Sequence, residues 1–204
     1  MQEIRFPIVI ISSPRSGSTP LAFDLKHKHN VELFNEPYSQ HSSKSEPNNE
    51  EKTRLMSLLK NNDSRFILKI HLDDLKFYPE EIIKLIETHN CHLIRIRRRD
   101  IVKQCTSLYI EFQRNIWGYY KDFTSKTEID TLTNTDVPIN QFTIEHSVKR
   151  IIKVNDELNS LSYTIDQDVW YEDLFFDDTF IVTPKPNNYD TIKEKIETLI
   201  KNGI

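Results

Sequence analysis

Short apolar runs alternate with amphipathic stretches along this chain, and the pattern predicts strands separated by helices. The run Ile8 to Ile11 is continuous, which is typical of a strand covered on both faces in a parallel sheet. Further strands are predicted at 31–35, 65–72, 91–97 and 163–171. Because the strands alternate with helices, the sequence predicts an α/β fold with a mainly parallel central sheet flanked by helices.

The predicted helices are marked by apolar residues that recur every three to four positions. The longest runs from about 100 to 122, with Cys105 and Leu108 in its buried stripe and Asp100 as its N-cap. The others are predicted at 20–29, 79–88, 141–160 and 189–202. The polar segments 39–54 and 124–140 are predicted to be loops that shape a binding pocket. With no internal repeat, residues 1–204 are interpreted as a single domain.

Charge and cysteine usage exclude several classes of function. The net charge of −4 argues against a protein devoted to nucleic acid. Cys91 and Cys105 have no Cys or His neighbours at metal-binding spacing, so no metal site is expected and both are interpreted as reduced thiols. No apolar run approaches the roughly 20 residues of a membrane span, and no basic leader opens the chain. A cytoplasmic location and a small-molecule partner are therefore expected.

Residues 12–19, Ser-Ser-Pro-Arg-Ser-Gly-Ser-Thr, join the first strand to the first helix and are called the anion loop below. Such a turn directs backbone N–H groups and the positive end of a helix at one point. Gly17 lets the backbone approach a bulky anion, and further donors come from Arg15, Ser16, Ser18 and Thr19. Ser18 stands where a Walker A loop has lysine, so a magnesium-dependent NTPase is the weaker interpretation. An ordinary turn rich in capping residues is the remaining alternative.

A second basic segment follows the strand predicted at 91–97. Arg95, Arg97 and Arg99 would share one side of an extended chain, at the strand end where open α/β sheets bind ligands. Ser107 follows Arg99 by eight residues. One alternative is that Arg97 and Arg98 are solvated side chains, which is the favoured interpretation of Arg98. Another is that the cluster binds nucleic acid, which the acidic charge balance disfavours.

Two candidate general bases come from other segments. In RFILKIHL, Lys69 and His71 lie on the same face of a strand, near its carboxyl end. A neutral histidine suits proton abstraction near pH 7, although a histidine bound by a backbone carbonyl would have the same pattern. Glu36, in LFNEPYS, is the rival base, since a suitably placed carboxylate can also take a proton. The alternative is that Glu36 is an ordinary surface residue in a turn before Pro37.

Taken in order, these segments resemble the PAPS-dependent sulfotransferases, where PAPS is 3′-phosphoadenosine 5′-phosphosulfate. PRSGST resembles their 5′-phosphosulfate loop, and RRDIVKQCTSLYIEF resembles the bacterial carbohydrate, trehalose-type branch. RFILKIHLDDL resembles the KTHLP segment of cytosolic sulfotransferases without its proline, and YEDL at 171–174 resembles a late family segment.

The resemblance implies roles for individual residues. Arg15 would contact the oxygen that bridges phosphate and sulfate, where negative charge develops during transfer. Ser16, Gly17, Ser18 and Thr19 would bind the 5′-phosphosulfate. The 3′-phosphate would be held by Arg99 and Ser107, with Lys185 as a further candidate. Lys69 would stabilise the transition state, and His71 or Glu36 would deprotonate the acceptor.

The expected activity is sulfuryl transfer from PAPS to a hydroxyl or amine of a small acceptor, without a metal. The resemblance favours a carbohydrate acceptor, and the product would be 3′-phosphoadenosine 5′-phosphate (PAP). Two alternatives stay open: a non-catalytic module that binds PAP or another nucleotide, and a P-loop nucleotide kinase.

Overall fold

A computed structural model describes residues 4–38, 49–61, 65–88, 91–114, 126–174 and 184–204. These residues form one five-stranded sheet, and every strand pair in it is parallel. Its strands are β1 (Ile8–Ser12), β2 (Glu32–Asn35), β3 (Phe66–His71), β4 (His92–Arg97) and β5 (Gln167–Trp170), in the spatial order β2-β3-β1-β4-β5. The predicted α/β fold with a parallel central sheet flanked by helices is confirmed. The last strand is shorter than its predicted span of 163–171.

Helices follow most strands. They are α1 (Ser18–His29), α2 (Asn49–Lys60), α3 (Glu80–Glu87), α4 (Ile101–Arg114), α5 (Lys126–Thr133), α6 (Gln141–Asn159), α7 (Tyr171–Leu174) and α8 (Tyr189–Lys201). A 3-10 helix, Leu72–Phe77, follows β3 directly. Asp100 caps α4 as predicted, because its Oδ1 accepts a hydrogen bond from the backbone N–H of Lys103 at 2.9 Å.

The two faces of the central strand enter different cores, because side chains alternate along a strand. Ile8 and Ile10 pack in a cluster with Ala22 and Leu25 of α1. Val9 and Ile11 belong to a second cluster with residues of α2, α3 and the other strands, which include Leu55, Phe66, Leu68, Ile70, Ile82 and Ile86. Both faces are therefore covered, as the unbroken apolar run of β1 predicted.

A third cluster joins three helices beside the sheet. Its buried residues include Leu108 of α4, Ile144, Val148 and Ile151 of α6, and Ile196 of α8. This packing places α4 and α6 behind the end of β1, where their polar side chains reach the anion loop. Among the helices that the structure describes, none is both long and apolar enough to cross a membrane.

Two predicted loops are in part helical. Residues 49–54 of the predicted loop 39–54 begin α2, because Leu55 is fully buried in the core and Glu51 accepts a hydrogen bond from the backbone N–H of Asn35 at 3.1 Å. Residues 126–133 of the predicted loop 124–140 form α5. Both helices carry few apolar residues, so their periodicity was weak. Residues 39–48, and the predicted continuation of α4 over 115–122, lie outside the described residues.

Candidate functional site

The carboxyl ends of all five strands lie at one edge of the sheet, called the carboxyl edge here, because the strands are parallel. The anion loop leaves this edge from β1. His71 is the last residue of β3 and lies in register with Ser12. Glu36 follows β2, and its backbone N–H donates to the carbonyl of Lys69 at 2.9 Å. The sheet therefore brings the anion loop, Glu36, Lys69 and His71 together, as ligand sites of open α/β sheets require.

The anion loop has the geometry of an anion site. Gly17 is the N-cap of α1 at a φ of 84°, and it offers no side chain to cap the first N–H groups of the helix. Arg15 adopts a φ of 60°, a left-handed conformation that is costly for a residue with a side chain. The Ser16 hydroxyl is buried and has no hydrogen-bond partner among the described residues. Uncapped N–H groups and an unsatisfied hydroxyl at one turn suit a bound anion.

Two polar side chains, the buried Gln104 and the half-buried Asn155, support the anion loop. The Gln104 side chain on α4 donates to the Ser13 hydroxyl at 2.8 Å and to the Pro14 carbonyl at 2.7 Å. Asn155 on α6 donates in turn to Gln104 Oε1 at 3.1 Å. Within the loop, the Ser12 hydroxyl donates to Ser18 Oγ at 2.9 Å. Sequence reasoning missed Gln104 and Asn155, since neither lies in a motif and only the packing of α4 on α6 connects them to the loop.

The side chain of Arg15 turns toward α4. Its Nε donates to the Ser107 hydroxyl at 2.8 Å, and its Nη1 lies 2.6 Å from Glu111 Oε1. Glu111 is only 3% exposed, so its charge is compensated in a dry environment. Ser107 of α4 therefore contacts the anion loop through Arg15. Glu111 was not predicted, although it lies one helical turn after Ser107 and shares its face of α4.

Lys69, Glu36 and His71 form a compact group, called the Lys69 cluster below. Lys69 Nζ forms an ion pair with Glu36 Oε1 and lies 3.2 Å from His71 Nε2. His71 Nε2 is also 3.2 Å from Glu36 Oε1. The shared strand face predicted for Lys69 and His71 is thus confirmed, and Glu36, which adopts a φ of 54°, completes the group.

The cluster contains a lysine with an unusual charge state. Lys69 is 1% exposed, and this burial lowers its pKa to about 7. The value of about 7 includes a smaller lowering by the positive charge of Arg15 and opposing contributions from the carboxylates of Asp74 and Glu111. A bound anion would favour the ammonium form, so Lys69 can gain a proton where an anion arrives. Glu36 and His71 are both placed to exchange protons with a group bound beside them.

The same region contains atoms that metal ions prefer. One ligand atom each from Glu36, His71 and Asp74 lies within 4.8 Å of the other two. Asp74 belongs to the 3-10 helix, and its Oδ2 is 4.0 Å from His71 Nδ1. Two carboxylates and an imidazole could hold a divalent cation. The ammonium of Lys69 competes for Glu36, because it already forms an ion pair with that carboxylate.

The arginines of β4 share one side of the strand, as predicted. Arg95 and Arg97 both bind the carboxylate of Asp168 on β5, the former at 2.6 Å. Arg97 and Arg99 both lie over the ring of Trp170, at 4.1 and 4.9 Å from its centroid. Arg99 donates hydrogen bonds from Nη1 and Nη2 to the two carboxylate oxygens of Asp173, at 2.6 and 2.8 Å, and 49% of its side chain is exposed. These residues, with Asp168, Trp170 and Asp173, are called the β5 cluster.

Arg98 points the other way and was misinterpreted. Its Nη1 donates to the carbonyl of Arg15 at 3.2 Å, and its guanidinium lies over the ring of Tyr171 at 4.5 Å. The side chain is half-buried, so it is not the solvated side chain expected from the sequence, and this burial lowers its pKa. The alternation of side chains was the available signal, since Arg98 must point away from Arg97 and Arg99.

The remaining predicted residues lie around the loop and α8. Ser18 and Thr19 form the first turn of α1. Lys185 is exposed, and its Nζ lies 5.3 Å from the ring centroid of Tyr189. Burial raises the pKa of Tyr189, whereas the charges of Arg98 and Lys103 lower it. Lys185 therefore lies beside a tyrosine that is within electrostatic range of Arg98.

Comparisons with known proteins give little beyond the structure itself. No family model matches the chain, and no curated protein matches it. Among solved structures, shikimate kinase from Bacteroides thetaiotaomicron is similar with a TM-score of 0.44 and 8% sequence identity, over 97% of this chain and 98% of that one.

Proposed function

We propose that this protein is a sulfotransferase that moves a sulfuryl group from PAPS to a hydroxyl or amine of a small acceptor, with a carbohydrate as the favoured class. The observation that carries the proposal is the Lys69 cluster beside the anion loop. In this cluster the amine of Lys69, the carboxylate of Glu36 and the imidazole of His71 contact one another. His71 Nε2 is 3.2 Å from Lys69 Nζ and 3.2 Å from Glu36 Oε1. The order of the motifs along the chain, which resembles that family, supports the same donor.

The reaction is an in-line displacement in which positioning and electrostatics dominate. Glu36 or His71 takes the proton of the acceptor hydroxyl, and the acceptor oxygen forms a bond to sulfur. The bond between sulfur and the bridging phosphate oxygen breaks, and its electron pair leaves with PAP. Arg15 and the N–H groups of the anion loop stabilise the charge that develops on this oxygen. Lys69 stabilises the sulfuryl oxygens in its ammonium form, which a bound anion favours against the lowering of its pKa by burial.

The alternative with specific support is a P-loop nucleotide kinase. Such an enzyme needs a divalent cation near the phosphates, and Glu36, His71 and Asp74 present three ligand atoms within 4.8 Å. Ser18 in place of the Walker A lysine and the ammonium of Lys69 at Glu36 weigh against it. A binding module without catalysis would keep the anion loop but lack a working base.

Calorimetric titration with PAP, AMP and ATP, with and without magnesium, separates these functions. For a sulfotransferase we expect PAP to bind without magnesium and more tightly than AMP, because two phosphates are held. Release of PAP from PAPS in the presence of hydroxylated carbohydrates then measures transfer. Magnesium-dependent preference for ATP would support the kinase instead, and PAP binding without any turnover would support the binding module.

A further inference from the structure

Two neighbouring arginines at the end of β4 lie in opposite environments. Arg99 is directed at the exposed carboxylate of Asp173, and its backbone N–H is held by Glu172 at 3.1 Å. Arg98 is directed at the anion loop, through the carbonyl of Arg15. A phosphate bound by Arg99 would have to displace a bidentate carboxylate, whereas one bound by Arg98 would not.

Arg98 and Ser107 meet at the same residue. Arg98 binds the backbone carbonyl of Arg15, and Ser107 binds its side chain. Both therefore lie beside the anion loop, although they come from the end of β4 and from α4. A second phosphate that bound both side chains would lie next to Arg15, and therefore next to a first phosphate held in the loop.

The donors of Arg98 are only partly used. Its Nη1 is bound to Arg15, whereas its buried Nε has no hydrogen-bond partner among the described residues. Nε and Nη2 form the lateral edge of a guanidinium, and this edge matches two oxygens of a phosphate. The ring of Tyr171, at 4.5 Å, holds the guanidinium plane in place before a ligand arrives. A buried N–H donor without a partner, on a guanidinium that is already held in orientation, is the arrangement expected where an anion binds.

We propose that Arg98, and not Arg99, joins Ser107 in binding a second phosphate ester of the nucleotide beside the anion loop. For PAP this is the 3′-phosphate, and in that form the inference rests on the proposed function. Arg99 instead ties β4 to the chain after β5 and does not contact the nucleotide.

The test compares the neighbouring variants Arg98→Ala, Arg98→Lys and Arg99→Ala in calorimetric titrations with PAP and AMP. We expect Arg98→Ala to weaken PAP binding by at least about tenfold, because a charge-assisted contact is lost. Arg98→Lys should retain part of the affinity for PAP, since lysine keeps the positive charge but cannot form the bidentate hydrogen bonds of a guanidinium. Arg99→Ala should leave PAP binding within about twofold of the unaltered protein, as for an exposed ion pair.

The ratio of the PAP and AMP dissociation constants distinguishes phosphate contact from a structural effect. A loosened anion loop weakens the binding of both PAP and AMP, whereas loss of a second phosphate contact weakens the binding of PAP alone. An unchanged ratio in Arg98→Ala, or a ratio that collapses only in Arg99→Ala, would overturn the inference while leaving the proposed function intact. If the unaltered protein prefers ATP with magnesium, the proposed function fails, and the ATP-to-AMP ratio then tests Arg98 in the same variants. If the unaltered protein binds none of these nucleotides, both the inference about Arg98 and the proposed function are wrong.

Discussion

The Lys69 cluster and the β5 cluster both combine cations with carboxylates at the carboxyl edge of the sheet, yet their environments differ. Lys69 is 1% exposed and lies on β3, which pairs with β1 directly before the anion loop. In the β5 cluster, Asp168 is 34% and Arg99 49% exposed, and each cation there already has a carboxylate partner. The comparison teaches that the full burial of Lys69, and not the number of charges, separates the candidate site from the β5 cluster, where even Arg95 and Arg97 remain about as exposed as His71 and Glu36.

Water explains the difference. Exposed ion pairs interact weakly because solvent screens them. Their pKa shifts, such as the lowered pKa of Asp173 beside Arg99, keep both groups in their ordinary charged forms. In a dry environment the same charges interact strongly, and desolvation shifts their pKa values toward the neutral form. Perturbed groups that lie together in this way are candidates for catalysis. Three experiments test this contrast, from the largest expected effect to the smallest.

The largest effect is expected from removing the general base. Glu36→Gln or His71→Gln should lower the turnover of PAPS by about 10²–10⁴-fold, depending on which residue takes the acceptor's proton. The variant of the residue that is not the base should lose less turnover, because that residue only orients the acceptor. Steady-state rates at saturating PAPS measure both effects.

Glu32→Gln is the matched control, since Glu32 lies on the same strand, β2, and pairs with the exposed Arg54. It should leave turnover unchanged. Full activity in both Glu36→Gln and His71→Gln would contradict a catalytic Lys69 cluster.

An intermediate effect is expected on the pH dependence of stability. The pKa of Lys69 is about 7 in the folded protein and 10.5 as its ordinary value, so the unfolded state holds more protons between these pH values. The stability of the unaltered protein should therefore rise with pH across this window, relative to Lys69→Met, with a slope approaching about 1.4 kcal/mol per pH unit. Urea unfolding at pH 6, 7, 8, 9 and 10 measures it, and parallel profiles for the two proteins would show that Lys69 is not shifted.

The smallest effect is expected in the β5 cluster. Asp168→Asn removes the carboxylate shared by Arg95 and Arg97 and should lower the free energy of unfolding by only about 1 kcal/mol. PAP binding and turnover should not change. A loss of turnover comparable to that of the base variants would mean that the two clusters act as one site.

Much of the fold could be predicted because each strand has a strong local signal. The apolar run of β1 and the alternation in β3 predicted the parallel sheet and the shared face of Lys69 and His71, and both are confirmed. The helices α2 and α5 were missed because few of their residues are apolar, so their pattern resembles that of a loop. Their positions depend on tertiary contacts such as the burial of Leu55.

The candidate site was predictable where its residues lie within one segment. The anion loop was visible in its glycine and hydroxyl residues, and Ser107 and Glu36 were named as site residues. Gln104, Glu111 and Asn155 were not, because helices α4 and α6 approach the loop only after they pack together. A contact between distant segments has no periodicity along the chain.

By itself, the sequence determined the kind of fold, the place of the anion loop after the first strand and the residue types available to an anion, because each of these follows from local pattern. Only the tertiary structure decided which charges are buried and which are balanced in water. Arg98 and Arg99 are adjacent in sequence, yet one contacts the anion loop and the other an exposed carboxylate. Burial and partner choice depend on the packing of remote segments, and these determine the strength of every charge in the site.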